Sequence, residues 1–295
     1  MDVTDQLAEV FRADGASGYV HARRVDDASA EVGLDADTPV VTASVFKVPV
    51  MLELARQVAT GELSATERVL VPASRRTAGP TGLSVMLDDV EVSLRDLAFM
   101  MMSISDNTAT DVVMGRVGVD RIAATLASLG LRQTVVAQDC QQLLAELAGD
   151  LDIDITADEE VVFADLDPAK VAAARALNAR HTNRTTPREM TKLLSLMWSD
   201  SAGPAEACAE VRRIMALQVW PHRLSSGFPD GVSVAAKTGT LPGIRNEAGV
   251  VAYPDGGRYA VAVFTVADSL AAQQPAIDAS IGQAARVAIE ALRAD

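Results

Sequence analysis

Residues 42–61 read Thr-Ala-Ser-Val-Phe-Lys-Val-Pro-Val-Met-Leu-Glu-Leu-Ala-Arg-Gln-Val-Ala-Thr-Gly. Val48, Met51, Leu52, Ala55 and Val58 recur at intervals of three and four, the stripe of one helix face, and Gly61 supplies a stop. The spacing predicts a helix from Ser44 to Thr60. Ser44 and Lys47 stand at its start, three residues apart and therefore on one face. A serine there meets free N–H groups and the positive end of the helix dipole, which favour developing negative charge. Its hydroxyl becomes a nucleophile when a base takes the proton, and a lysine serves once its pKa has fallen. Ser-x-x-Lys alone decides little, because roughly one per chain of this length is expected by chance.

Before this helix, Thr4 to Arg12 reads as an opening helix through Leu7, Val10 and Phe11. Gly18 to Arg24 and Ala30 to Leu34 read as strands, with Asp26-Asp27 in the turn between them. Beyond it, Leu94 to Leu131 is rich in Leu, Met and Ala and reads as two or three helices punctuated by Gly115, Gly118 and Gly130. Pro187 to Trp198 fits another helix, capped by Thr186 with Pro187 at its first position. The last third changes character. Val232 to Lys237, Glu247 to Tyr253 and Tyr259 to Ala267 are β-branched runs, the last two joined by Pro254-Asp255-Gly256-Gly257, a hairpin signal. Ser269 to Leu292 closes the chain as an Ala-rich helix. The expected fold is α/β (α+β), an antiparallel sheet flanked by helices and built from both termini. Residues 1–42 and 205–295 would form this sheet domain, and residues 43–204 an all-helical one.

The chain has 295 residues and 26 Lys+Arg against 40 Asp+Glu, a formal charge of −14. The acid excess argues against nucleic acid or an anionic membrane surface as the main partner. The longest stretch without Asp, Glu, Lys or Arg is Thr77 to Leu87, 11 residues, where a membrane span needs about 20 apolar ones. Met1 to Gln6 lacks the basic and apolar segments of a secretory signal. The expected location is cytoplasmic, or periplasmic or secreted for a form whose leader was removed. Cys140 and Cys208 read as two separate buried thiols. His21, His181 and His222 are scattered without metal-ligand spacing, so no metal or other cofactor is expected. Asp150 to Asp167 carries eight acidic residues in 18 positions. It lacks the Gly and Glu of a calcium loop at the sixth and twelfth positions and reads as a solvated loop.

Two tripeptides change the odds. Ser105-Asp106-Asn107 follows the apolar run Leu97 to Met102, and Lys237-Thr238-Gly239 ends a strand. With Ser44-x-x-Lys47, in this order and these contexts, they form the motif set of class A β-lactamases and penicillin-binding proteins. The sequence resembles a class A-type serine β-lactamase over most of its length. The likeness extends through Thr42 to Val48, Val92 to Leu97, Ser105 to Ala109, Arg184-Thr185-Thr186-Pro187 at the exit of the family's omega loop, and Lys237 to Thr240 followed by Arg245-Asn246.

The resemblance implies that Ser44 is the nucleophile, Lys47 its base, and Ser105 the donor to the leaving nitrogen. Lys237 is expected near Lys47, where like charge depresses a lysine pKa. Asn107 would hold the substrate's side-chain amide, and Lys237, Thr238 and Arg245 its carboxylate. The N–H groups of Ser44 and Thr240, beside Gly239, would form the oxyanion hole. The implied partner is a small molecule, a β-lactam or related amide or ester.

One family feature is missing. Class A enzymes activate the deacylating water with the Glu of a Glu-x-x-x-Asn, and none stands between Gly130 and Thr185. Asp167, Glu159 and Glu160 are the nearest substitutes. The sequence thus predicts acylation followed by slow deacylation. A D-amino-acid-directed peptidase or esterase, and a penicillin-binding module that traps its acyl group, are the alternatives.

Overall fold

The two chain ends meet in one five-stranded antiparallel sheet in the computed structural model, which describes residues 2–153 and 165–294. The described helices are α1 (Val3–Ala13), α2 (Lys47–Ala59), α3 (Leu94–Ser103), α4 (Asn107–Val117), α5 (Val119–Ser128), α6 (Cys140–Leu151), α7 (Pro168–Ala173), α8 (Pro187–Trp198), α9 (Ala205–Met215) and α10 (Pro275–Ala294). The strands are β1 (Ala16–Arg24), β2 (Glu31–Leu34), β3 (Val40–Val41), β4 (Arg68–Val71), β5 (Val90–Ser93), β6 (Arg184–Thr185), β7 (Ser233–Leu241), β8 (Ile244–Ala252) and β9 (Arg258–Ala267). The sheet order is β2-β1-β9-β8-β7, which leaves β7 as an edge. β3 pairs with β6, and β4 with β5.

Alternation along the strands gives the sheet two apolar faces. Leu7 and Phe11 of α1 and Ile281 and Ile289 of α10 cover one of them, over Val20, Val261 and Val263. The other faces α8 and the helical half, where Met51, Leu97, Val113, Leu194 and Val211 share a core. α2 runs through the middle of that core. Every side chain from Lys47 to Ala55 is buried, so the expected stripe is one side of a helix enclosed all round. Fully burying a Leu or Phe contributes about 1.5–3 kcal/mol, so this placement holds α2 rigidly.

Helices α8 and α9 bridge the two halves. α8 packs on β1 and β9, and α9 on α2 and α3. β7 and β8 are each nine residues long and meet at Pro242-Gly243, where Gly243 takes φ 68°. The sequence reading ended β7 at Lys237 and began β8 at Glu247, so it shortened both. It also missed α6, α9 and the β4–β5 pair. Residues 154–164 of the acidic segment, with Glu159 and Glu160, lie outside the described residues. No helix of the described residues is long and apolar enough to cross a membrane.

Candidate active site

Ser44 lies in a single 3-10 turn, Ala43–Phe46, that leads into α2. Two contacts fix the approach to this turn. Thr42 donates through its N–H and hydroxyl to the Asn183 carbonyl at 3.0 and 2.9 Å. The buried Asn246 amide donates to the carbonyls of Val41 and Thr42 at 2.9 and 3.2 Å. Ala43 then takes φ 45°, the left-handed region. Edge strand β7 runs alongside. A Cβ on Gly239 would stand 2.6 Å from the Thr42 carbonyl oxygen and 3.0 Å from the Ser44 nitrogen, so only glycine permits this approach.

Ser105 occupies the turn between α3 and α4 with φ 63°, and Asp106 caps α4 by accepting the Ala109 N–H. This turn aims three groups at Lys47. Its Nζ lies 2.7 Å from the Ser105 carbonyl oxygen, 3.2 Å from Ser105 Oγ and 3.0 Å from Asn107 Oδ1. Lys237, from β7, donates to the same Ser105 Oγ at 3.0 Å and to the Thr238 carbonyl at 3.0 Å. One hydroxyl therefore stands between two amines. When both are charged its two lone pairs accept from them and its own proton is free; when one is neutral it can donate to that one.

Both lysines are fully buried. Burial pushes Lys47 below the usual lysine range, opposed by Cys140, Asp111 and Asp106. Lys237 falls much further, through burial first and the charge of Lys47 second, with Glu247 opposing. The like-charge effect expected for Lys47 thus falls on Lys237, and burial is the larger cause for both. Glu247, itself buried, accepts from the Leu224 N–H and the Gln218 amide, and Gln218 accepts the Thr238 N–H at 2.8 Å. This chain of contacts holds β7 at the cleft.

The cleft has a volume of about 420 Å³, and Ser44, Ser105, Asn107, Thr238, Gly239 and Thr240 all line it. Arg245 does not. It is buried against Asp278 of α10 at 3.4 Å and donates to the Ala272 carbonyl, which corrects its expected place among the substrate contacts. Arg223, which the sequence reading missed, is the guanidinium at the cleft. It donates to Thr240 Oγ1 at 2.8 Å and to the carbonyls of Gly239 and Asn246 at 2.9 Å, and pairs with Asp278 at 2.7 Å. Trp220 and His222 pack edge to face at the same cleft, ring centres 6.1 Å apart. Asn107 is already engaged on both sides of its amide, by Lys47 and by the Ala78 carbonyl at 2.8 Å.

A further buried group comes from the start of α6. Asp111 of α4 accepts the N–H groups of Cys140 and Gln141 at 2.7 and 2.9 Å and the Thr77 hydroxyl at 2.6 Å. These bonds seat Cys140 close enough to Lys47 for each to shift the other. Burial pushes the Cys140 thiol up to about 12. Asp167 is exposed and caps α7, accepting the Ala169 N–H at 2.8 Å, and it does not line the cleft. No group of three His, Cys, Asp or Glu able to hold a metal ion occurs among the described residues.

An edge strand, a serine turn and a two-lysine cluster around a second serine define the class A β-lactamase and penicillin-binding-protein superfamily. The chain belongs to the Beta-lactamase enzyme family, whose model matches residues 2–292. It is 30% identical over 312 residues to a β-lactamase regulatory protein, BlaB, of Streptomyces cacaoi, covering 98% of this chain and 96% of that one. Its fold resembles a β-lactamase from Sphaerobacter thermophilus, with TM-score 0.78, 24% identity and 100% and 99% of the chains covered. It equally resembles a mutant of PBP-A, solved as an acyl-enzyme complex with penicillin G, with TM-score 0.78, 19% identity and 99% and 97% covered.

Proposed function

We propose that the protein is a β-lactamase-type serine hydrolase that acylates at Ser44 with a β-lactam, or a related amide or ester, and releases the acyl group slowly. The observation that carries the acylation half is Ser105 Oγ, 3.2 Å from Lys47 Nζ and 3.0 Å from Lys237 Nζ. In the proposed reaction Lys47, its pKa lowered by burial, takes the Ser44 proton in its uncharged form. The oxygen then attacks the amide carbon, and the oxyanion accepts from the N–H groups of Ser44 and Thr240. Collapse breaks the C–N bond. Ser105 gives its proton to the departing nitrogen and is reprotonated by the lysine beside it. Lys237, Thr238 and Arg223, by way of Thr240, receive the substrate carboxylate.

Slow release rests on the missing family base: no Glu-x-x-x-Asn stands between Gly130 and Thr185, and Asp167 caps α7 outside the cleft. General-base assistance typically accounts for about 100- to 10,000-fold in rate. The same observation favours a second reading, a penicillin-binding module that acylates once and reports or traps the antibiotic. The regulatory name of the Streptomyces cacaoi relative supports it. A fluorescent penicillin followed by gel and intact mass tests both. Wild type is expected to gain one adduct and Ser44→Ala none, because truncating this serine removes the nucleophile. An adduct on Ser44→Ala overturns the reading. A label lasting hours favours the trap, and one lost within minutes favours the hydrolase.

A further inference from the structure

A second cavity, also of about 420 Å³, opens on the other side of the Ser44 turn and shares no lining residue with the cleft. That volume is within the roughly 300–1,000 Å³ of small-molecule sites. Its wall is mostly apolar, from Val40, Val41, Leu177, Phe264 and Val266. Val266 is 49% exposed, unusual for a large aliphatic side chain on a central strand. Besides Asn246 and Thr265, three polar residues line it: Tyr19, Asn178 and Arg180, with the Tyr19 hydroxyl, the Asn178 amide nitrogen and the Arg180 guanidinium. None of them has a hydrogen bond or ion pair with a described residue; Asn178 spends only its oxygen, on the Arg180 N–H at 3.0 Å. A cation with two polar neighbours beside an apolar bed matches one class of ligand, a compact carboxylate with an apolar body.

The cavity also shares its wall with the machinery of Ser44. Asn246 and Val41 line it, and Asn246 holds the carbonyls of Val41 and Thr42 directly before the Ser44 turn. Thr265, a further lining residue, donates its N–H to Asn246 Oδ1 at 3.2 Å. A molecule seated on Val41 and beside Asn246 bears on the groups that set the position of Ser44. We propose that this cavity is a second ligand site for small carboxylates with an apolar body, and that its occupancy changes the rate of acylation at Ser44. The coupling needs no long path. It runs through one amide side chain.

The site is tested by amide NMR on the full chain with hexanoate, octanoate and 4-phenylbutanoate, and with 4-phenylbutanol as the uncharged control. The acids are expected to shift Leu177 to Arg180, Val41 and Val266, and the alcohol to bind about tenfold more weakly for want of the charge-assisted bond. Arg180→Gln, an exposed substitution, is expected to lower acid affinity by about the same factor while leaving the alcohol unchanged. At saturation the acid is expected to alter the rate of Ser44 labelling by a fluorescent penicillin in wild type, and not in Arg180→Gln at that concentration. Shifts confined to Thr238–Thr240 and Trp220, equal binding of acid and alcohol, or no shifts at millimolar acid overturn the site. Binding with an unchanged labelling rate overturns the coupling. If Ser44 is never labelled, the acylation reading fails, while the NMR shifts still decide the cavity.

Discussion

The two sides of Lys47 are built from the same kinds of contact and carry different chemistry. On the Ser105 and β7 side, every polar group that meets the lysine is a hydroxyl, a carbonyl, an amide or a second amine. On the α6 side, Asp111 accepts from two backbone N–H groups and the Thr77 hydroxyl, and Cys140, Asp111 and Asp106 act on Lys47, with the Cys140 thiol pushed up to about 12 by burial. The proposed acylation uses the first side, so substitutions on these two walls of the site should have different effects.

The largest expected effects lie on the first wall. Lys47→Ala removes the proposed base and should lower the acylation rate at every substrate concentration, by about 100-fold or more. Lys237→Ala should also raise KM, because it removes an amine donor meeting the substrate carboxylate. Stopped-flow acylation across substrate concentrations separates these outcomes, and two variants that change KM alone would break the comparison. For wild type, the acylation rate should rise with pH through a limb below the usual lysine range, since burial lowers Lys47.

A smaller effect concerns the exit of the second wall, where β6 leads into α8. His21 of β1 is buried there against Thr191 and Arg188 of α8 and Glu31 of β2. Burial, then the charge of Arg188, lowers its pKa from 6.5 to about 4. The unfolded chain therefore binds the extra proton first as pH falls. Stability is complete above about pH 6.5 and is lost toward pH 4, by up to about 3 kcal/mol. Urea midpoints at both ends of this window should differ for wild type and much less for His21→Asn.

The smallest expected effect is the most instructive. Cys140→Ser should leave the lifetime of the acyl label unchanged, because a neutral thiol assists nothing. If Cys140 were the base, the lifetime should lengthen by about 100-fold or more. Mass spectrometry of the labelled protein over time distinguishes the two.

The first wall was legible because its chemistry is written in residue types at fixed offsets. Ser44, Lys47, Ser105, Asn107, Thr238 and Gly239 needed no distances to be singled out, and the structure gathers them with Lys237 and Thr240 about one cleft. Arg245 and Arg223 could not be told apart in this way. Which one reaches the cleft depends on how Asp278 of α10, far along the chain, shares itself between them. The second wall was less legible still. Asp139 and Gln142 form a capping box ahead of α6, a local signal that announces the helix and was overlooked. Nothing local says that Asp111 would dock the start of that helix. The β7–β8 hairpin was cut short because Pro242-Gly243 and the small residues around it resemble a loop, although cross-strand pairing continues to Leu241 and Ile244.

Rapid mixing with a chromogenic cephalosporin bears most directly on the proposed acylation and slow release. The account predicts a burst of hydrolysis near one equivalent of protein, followed by a slow steady state as acylated Ser44 accumulates. A linear trace without a burst, at a kcat of about 10 per second or more, would contradict it, because a base would then be serving the deacylating water.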